Sequence, residues 1–195
     1  AIYWDLEMGK LLLIFREHNS YVYCVAAGIS MHRALSGSDD TSLKLWHLKT
    51  GKLIQTFNGH KGAVQCLVAD FVARRAVSGS QDETLKCWNL DTGELLQNIQ
   101  ALSSVYCVLV DFTLHRAISG SNDRALKYWD LSNGQVLRLF QEEESVYCAA
   151  ADFARGVALV GTGDNTLKCW DLHHGGVLWT LSGHTGPVLS VAAQW

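Results

Sequence analysis

Proline is nearly missing from these 195 residues: Pro187 is the only one, so almost every backbone amide is free to donate to a sheet ladder. No apolar run approaches the roughly 18 to 20 residues that a membrane helix needs, and no N-terminal stretch has signal-peptide form. The expected setting is therefore intracellular, and cytoplasmic, with no membrane contact. Basic excess is also lacking. A formal net charge of −3 gives no support to an electrostatic nucleic-acid footprint, so nucleic acid is not an expected partner. No Pro/Ser-rich linker divides the chain, and residues 1–195 are read as one domain.

What is present is an apolar fraction of 48%, that of a packed globular protein, and a repeat. Trp4, Trp46, Trp88, Trp129 and Trp170 stand at intervals of 42, 42, 41 and 41 residues. Each of the last four closes a phrase that runs from a small-residue strand end through a polar turn into a second strand. The clearest copy is Ser78-Gly79-Ser80-Gln81-Asp82-Glu83-Thr84-Leu85-Lys86-Cys87-Trp88. Short apolar runs around a turn of this kind read as an antiparallel hairpin. A second turn follows each Trp, with Gly9, Gly51, Gly93 and Gly134 suited to the positive φ of a bulged hairpin, and an outer strand follows that. Runs at 21–25, 63–68, 105–110, 146–150 and 188–192 are apolar nearly throughout, as inner strands covered on both faces would be. Four short strands per period of about 40 residues point to an all-β propeller of four-stranded antiparallel blades. About four complete blades and a partial terminal blade are expected.

Six cysteines need no disulfide. Cys24, Cys66, Cys107 and Cys148 share one repeat position and Cys87 and Cys169 another. First and third strands of one blade lie about 9 to 10 Å apart, too far to bridge. The adjacent pair His173-His174 has no further ligands at metal spacing, so no metal site and no cofactor are expected. Lys44, Lys86, Lys127 and Lys168 each stand two residues before a Trp; they are read as solvated strand positions with their stems laid on the sheet.

The combination of Gly-His, a Ser-Gly-Ser strand end, Asp six residues before Trp, and Trp-Asp resembles the Trp-Asp (WD) repeat propeller family, over the whole chain. That resemblance implies a hydrogen-bonded tetrad of His, Ser or Thr, Asp and Trp in each intact blade. Trp46 would join Asp40, Ser36 and His18, and Trp88 would join Asp82, Ser78 and His60. Trp129 keeps Asp123 and Ser119 but has Ala101 in the His place. Trp170 keeps Asp164 but has Val160 for Ser and Glu142 for His. The donors and acceptors of the four groups can chain, so each complete set should stabilise its blade by a few kcal/mol, about 1 kcal/mol per bond. The two blades with incomplete sets are expected to be weaker.

The resemblance also implies a partner-binding rim at the channel mouth. It would be formed by the residue before each repeated Cys (Tyr23, Gln65, Tyr106, Tyr147, and Leu189 in the last repeat) and the residue before each turn Asp (Asp39, Gln81, Asn122, Gly163). Tyrosine suits recognition. The expected function is thus a non-catalytic protein-interaction scaffold with a protein or peptide partner. The alternatives are the substrate-recognition propeller of a ubiquitin-ligase or signalling protein and, further off, a propeller hydrolase. The hydrolase reading founders on repetition: a serine nucleophile needs one geometry, whereas the His, Ser and Asp here are copied from repeat to repeat. After Ser190, at the repeated Cys position, too few residues remain to finish a fifth blade with Trp4. The expectation is a fragment of a longer propeller with an open edge that invites association.

Overall fold

The computed structural model describes residues 1–194, and among them every regular element is a strand. The first two, β1 (Ile2–Asp5) and β2 (Lys10–Ile14), pair only with each other. Four antiparallel four-stranded sheets follow in strict chain order. Blade 1 is β3 (Val22–Gly28), β4 (Arg33–Ser38), β5 (Leu43–His47) and β6 (Leu53–Phe57). Blade 2 is β7 (Val64–Asp70), β8 (Arg75–Ser80), β9 (Thr84–Asn89) and β10 (Leu95–Gln100). Blade 3 is β11 (Val105–Asp111), β12 (Arg116–Ser121), β13 (Ala125–Asp130) and β14 (Gln135–Gln141). Blade 4 is β15 (Val146–Asp152), β16 (Val157–Thr162), β17 (Leu167–Asp171) and β18 (Val177–Leu181).

The inner strands pack in sequence, β3 on β7, β7 on β11 and β11 on β15, so the core lies between blades. Leu35, Leu45 and Phe57 of blade 1 pack with Val64, Phe71 and Trp88 of blade 2. Val77, Leu85 and Ile99 of blade 2 pack with Val105, Ala117 and Trp129 of blade 3, and Ile118, Leu126 and Phe140 of blade 3 with Val146, Ala158 and Trp170 of blade 4. Trp88, Trp129 and Trp170 therefore bury their indoles against the preceding blade, and Trp46 packs on Phe15, Tyr3 and Leu13. The central glycine of each Ser-Gly-Ser strand makes this approach possible. A Cβ on Gly79 would lie 2.6 Å from Val105 Cγ1 of the next blade and 2.7 Å from Cys66 Sγ of its own, and Gly37, Gly120 and Gly161 face the same pair of neighbours in their blades.

The six thiols are all free. Burial pushes Cys24 and Cys107 up to about 12, and Cys66 well above its ordinary value. Cys24 and Cys148 donate to the carbonyls of Val64 and Val188 across the blade boundary.

One expectation needs correction. The run 188–192 is not a strand. Val188 alone takes the inner-strand place, donating its amide to the Thr162 carbonyl at 3.2 Å, because no further strand among the described residues extends that ladder. The turn between the second and third strands of each blade puts its positive φ on Thr41, Glu83, Arg124 and Asn165, each the residue after the turn Asp and none of them a glycine.

Candidate functional site

In blades 1 and 2 the expected polar residues meet. Trp46 Nε1 donates to Ser36 Oγ at 2.8 Å, that oxygen lies 2.7 Å from His18 Nε2, and His18 Nδ1 lies 2.8 Å from Asp40 Oδ2. Blade 2 repeats the chain through Trp88, Ser78, His60 and Asp82 at 2.9, 2.7 and 2.8 Å. One tautomer satisfies every atom: the imidazole donates from Nδ1 to the carboxylate and accepts the serine proton at Nε2, while the serine oxygen accepts the indole N–H. Asp40 also takes bonds from Ser42 Oγ at 2.6 Å and from the Asn19 amide at 2.9 Å. Burial alone would raise the Asp40 carboxyl, but the bonds from Ser42, Asn19 and His18 prevail and hold it well below the usual carboxylate range. Burial lowers both imidazoles, more than the facing carboxylates raise them.

These serines are not nucleophiles in waiting. Ser36 and Ser78 are buried, and each hydroxyl is committed between an indole and an imidazole. The arrangement locks the second and third strands to the loop that enters the blade.

Blades 3 and 4 are wired differently from the expectation. Trp129 Nε1 still donates to Ser119 Oγ at 2.8 Å, but Asp123 turns to Ser121 Oγ and to the ammonium of Lys127. Lys127 reaches the space that a histidine would fill and donates to the Ala101 carbonyl at 2.6 Å. In blade 4 Glu142 stands in for both His and Ser. Its Oε1 accepts from Trp170 Nε1 at 2.6 Å and its Oε2 from Lys168 Nζ at 2.7 Å, and Lys168 also reaches Asp164 at 3.3 Å. Burial works to lower the Lys168 ammonium, but Glu142 and Asp164 together raise it; Asp164, bonded by Thr162, Thr166 and this lysine, falls to about 2 in spite of its burial.

The reading of the four lysines as solvated is thus overturned. Lys86 and Lys127 are only 5% and 4% exposed, and all four ammonium groups have side-chain or carbonyl acceptors, Thr56 for Lys44 and Asn98 for Lys86. An ammonium cannot stay this far from water without such partners. The sequence signal that could have found the substitution is the pairing of a missing His, at Ala101 and Glu142, with a lysine two places before Trp.

The rim residues share one local geometry. The inner strands carry a one-residue bulge between Val22 and Cys24, Val64 and Cys66, Val105 and Cys107, and Val146 and Cys148. The extra residue is Tyr23, Gln65, Tyr106 or Tyr147. A bulge leaves its residue out of the ladder and re-aims the side chain, which no periodicity in the sequence reveals. Tyr106 and Tyr147 stack, with ring centroids 5.4 Å apart and planes 30° apart, and the Tyr106 hydroxyl donates to Asn122 Oδ1 at 3.2 Å. Ser145 Oγ reaches the same oxygen at 3.3 Å. Asp39 accepts from Ser20 Oγ at 2.7 Å. Tyr23, Asp39 and Gln81 are exposed and Gln65 is half-buried. Leu189 is 69% exposed, on the strandless segment. The amides of Asp39, Gln81, Asn122 and Gly163 each bond the carbonyl of the loop entering the inner strand, so both halves of the rim are tied together.

Successive four-stranded antiparallel blades, packed through their inner strands and each closed by a buried Trp-centred polar chain, define a β-propeller. The sequence profile of the WD domain, G-beta repeat family matches residues 9–47, 51–89 and 93–130, and the chain belongs to that family. No curated protein matches it. Among solved structures it is similar to the computationally designed Ika8 protein, with a TM-score of 0.84 and 27% identity, over 99% of this chain and 59% of that one. This chain thus spans about three-fifths of the designed protein's length. WD-repeat propellers act in general as protein-interaction scaffolds and are generally not catalysts.

Proposed function

We propose that this protein is a non-catalytic scaffold that captures a protein or peptide partner on the rim formed by Tyr23, Gln65, Tyr106, Tyr147 and Leu189 with Asp39, Gln81 and Asn122. The observation that carries the reading is the stacked, half-buried pair Tyr106 and Tyr147, placed on bulges and held by Asn122. Two rings fixed before binding lose little conformational freedom on contact and present apolar area with a hydroxyl. The frame repeats while the rim does not: Tyr, Gln, Tyr, Tyr and Asp, Gln, Asn, Gly give four blades four different surfaces. A protein partner in the cytoplasm also suits the net charge of −3 better than nucleic acid does. Tyr106→Ala and Tyr147→Ala are expected to abolish capture of a physiological partner in a pull-down while leaving the urea midpoint close to wild type. Unfolding as severe as that of a Trp variant would make the tyrosines core residues and remove the rim.

Further blades completing the ring belong to the same reading. Val25, on the face of β3 turned away from blade 2, is 62% exposed, whereas its counterparts Leu67, Val108 and Ala149 are packed between blades. A chain extended by additional repeats should protect β3 amides from hydrogen exchange to the level of β7.

A further inference from the structure

Blades 2 and 3 enclose between them a cavity of about 420 Å³ that reaches outward to β10. One substitution in the repeat creates it. At the third-strand position opposite Leu35, Val77 and Ile118, the chain has Leu45, Cys87 and Tyr128. Leu45 is fully buried between blades 1 and 2, and Tyr128 packs on Phe153 between blades 3 and 4, with centroids 6.4 Å apart. Between blades 2 and 3 the same place holds only a thiol. The space left is walled by Cys87 and Leu96 on one side and by Phe112 and Leu131 on the other.

The polar groups lining it are not of both signs. Arg75 and His115 belong to the lining and no carboxylate does. In blade 3 the equivalent Arg116 is paired with Asp130, the residue opposite it, at 3.0 Å. Opposite Arg75 stands Asn89, and the nearby Asp91 is taken by Arg33 and Arg74. Among the described residues the Arg75 guanidinium has no ion pair and no hydrogen bond. Burial pushes the Cys87 thiol up to about 11, and the positive charge of Arg75 opposes that rise, which places the guanidinium within electrostatic reach of the cavity's small residue.

We propose that this cavity is a binding site for a small organic acid, with a flat apolar body between Leu96 and Phe112 and its carboxylate on Arg75, His115 donating beside it. The volume lies within the range of small-molecule pockets, about 300 to 1,000 Å³. A planar carboxylate matches the fork of an unpartnered guanidinium. The site is distinct from the rim and does not depend on it.

The test is isothermal titration of the whole chain with naphthoate and with its neutral isostere naphthalenemethanol, beside the variants Arg75→Gln and Cys87→Leu. Wild type should bind one naphthoate, about tenfold more tightly than the alcohol. Arg75→Gln should bring naphthoate down to the alcohol's affinity. Cys87→Leu, which gives blade 2 the residue that blade 1 carries, should bind neither while unfolding at the wild-type temperature or above. Absence of naphthoate binding to wild type, equal binding by Cys87→Leu, or an anion preference that survives Arg75→Gln would each overturn the proposal. Arg75 is exposed and its replacement is no threat to folding, so that variant decides the matter if Cys87→Leu is destabilised.

Discussion

Replacing Glu142 by Gln tests the rewired blade directly. The Glu142 side chain is fully buried, and its two oxygens serve different donors, the Trp170 indole at 2.6 Å and the Lys168 ammonium at 2.7 Å. Glutamine keeps a carbonyl oxygen for the indole but offers Lys168 no charge. Breaking a buried ion pair by altering one member costs about 3 to 5 kcal/mol when the other charge is stranded. Lys168 is not wholly stranded, since Asp164 remains within 3.3 Å and its side chain is 14% exposed, so a loss of about 1 to 3 kcal/mol is expected. Glu142→Ala removes both acceptors and leaves a cavity, for about 3 to 5 kcal/mol. The assay is urea unfolding followed by tryptophan fluorescence, with Lys168→Met and the double variant completing a cycle. A coupling of about 1 kcal/mol or more between the two sites is expected, because each single change strands the other group. The lysine adds a pH signature. Its folded value is raised, so the stabilisation is fully present below the ordinary 10.5 and is lost as pH rises through the raised value; Lys168→Met should flatten that alkaline decline. If Glu142→Gln leaves the midpoint where it was and the cycle shows no coupling, the glutamate is a space-filler and the account of blade 4 is wrong.

Trp88→Phe or His60→Ala should each destabilise the protein by roughly 1 to 3 kcal/mol, through the buried Ser78 and Asp82 groups they leave unpaired, as read from denaturation midpoints. Because the folded imidazoles of His18 and His60 are lowered, the unfolded chain binds their protons first. Stability is then full above the ordinary 6.5 and falls as pH drops below it, a slope that His18→Gln with His60→Gln should remove and that Lys127→Met should not. Gly79→Ala drives a Cβ into Val105 and Cys66 and should cost about 1 to 3 kcal/mol, with most of the effect absent from Gly176→Ala, where the space is open.

The period, the blade count and the Trp, Ser and Asp positions of each repeat could be read from the sequence because they depend on contacts close along the chain. A turn Asp capping residues two places on, or a Trp reaching a Ser ten residues before it, is a local event that recurs with the repeat. The histidine chains of blades 1 and 2 were legible through the resemblance to the Trp-Asp repeat family, with which the matching donors and acceptors of the four groups agree. The destination of the lysines was not legible. Lys127 and Lys168 find their acceptors 26 residues away, at Ala101 and Glu142 on the loop entering the blade, and the same lysine in blades 1 and 2 turns to the outer strand because a histidine already occupies that space. The bulges that re-aim Tyr106 and Tyr147 likewise follow from pairing with the second strand. Cys87 is a small residue in a strand until blade 3 is set against it; only that packing, decided between elements that share no local contacts, turns the missing side-chain volume into a cavity beside an unpaired arginine.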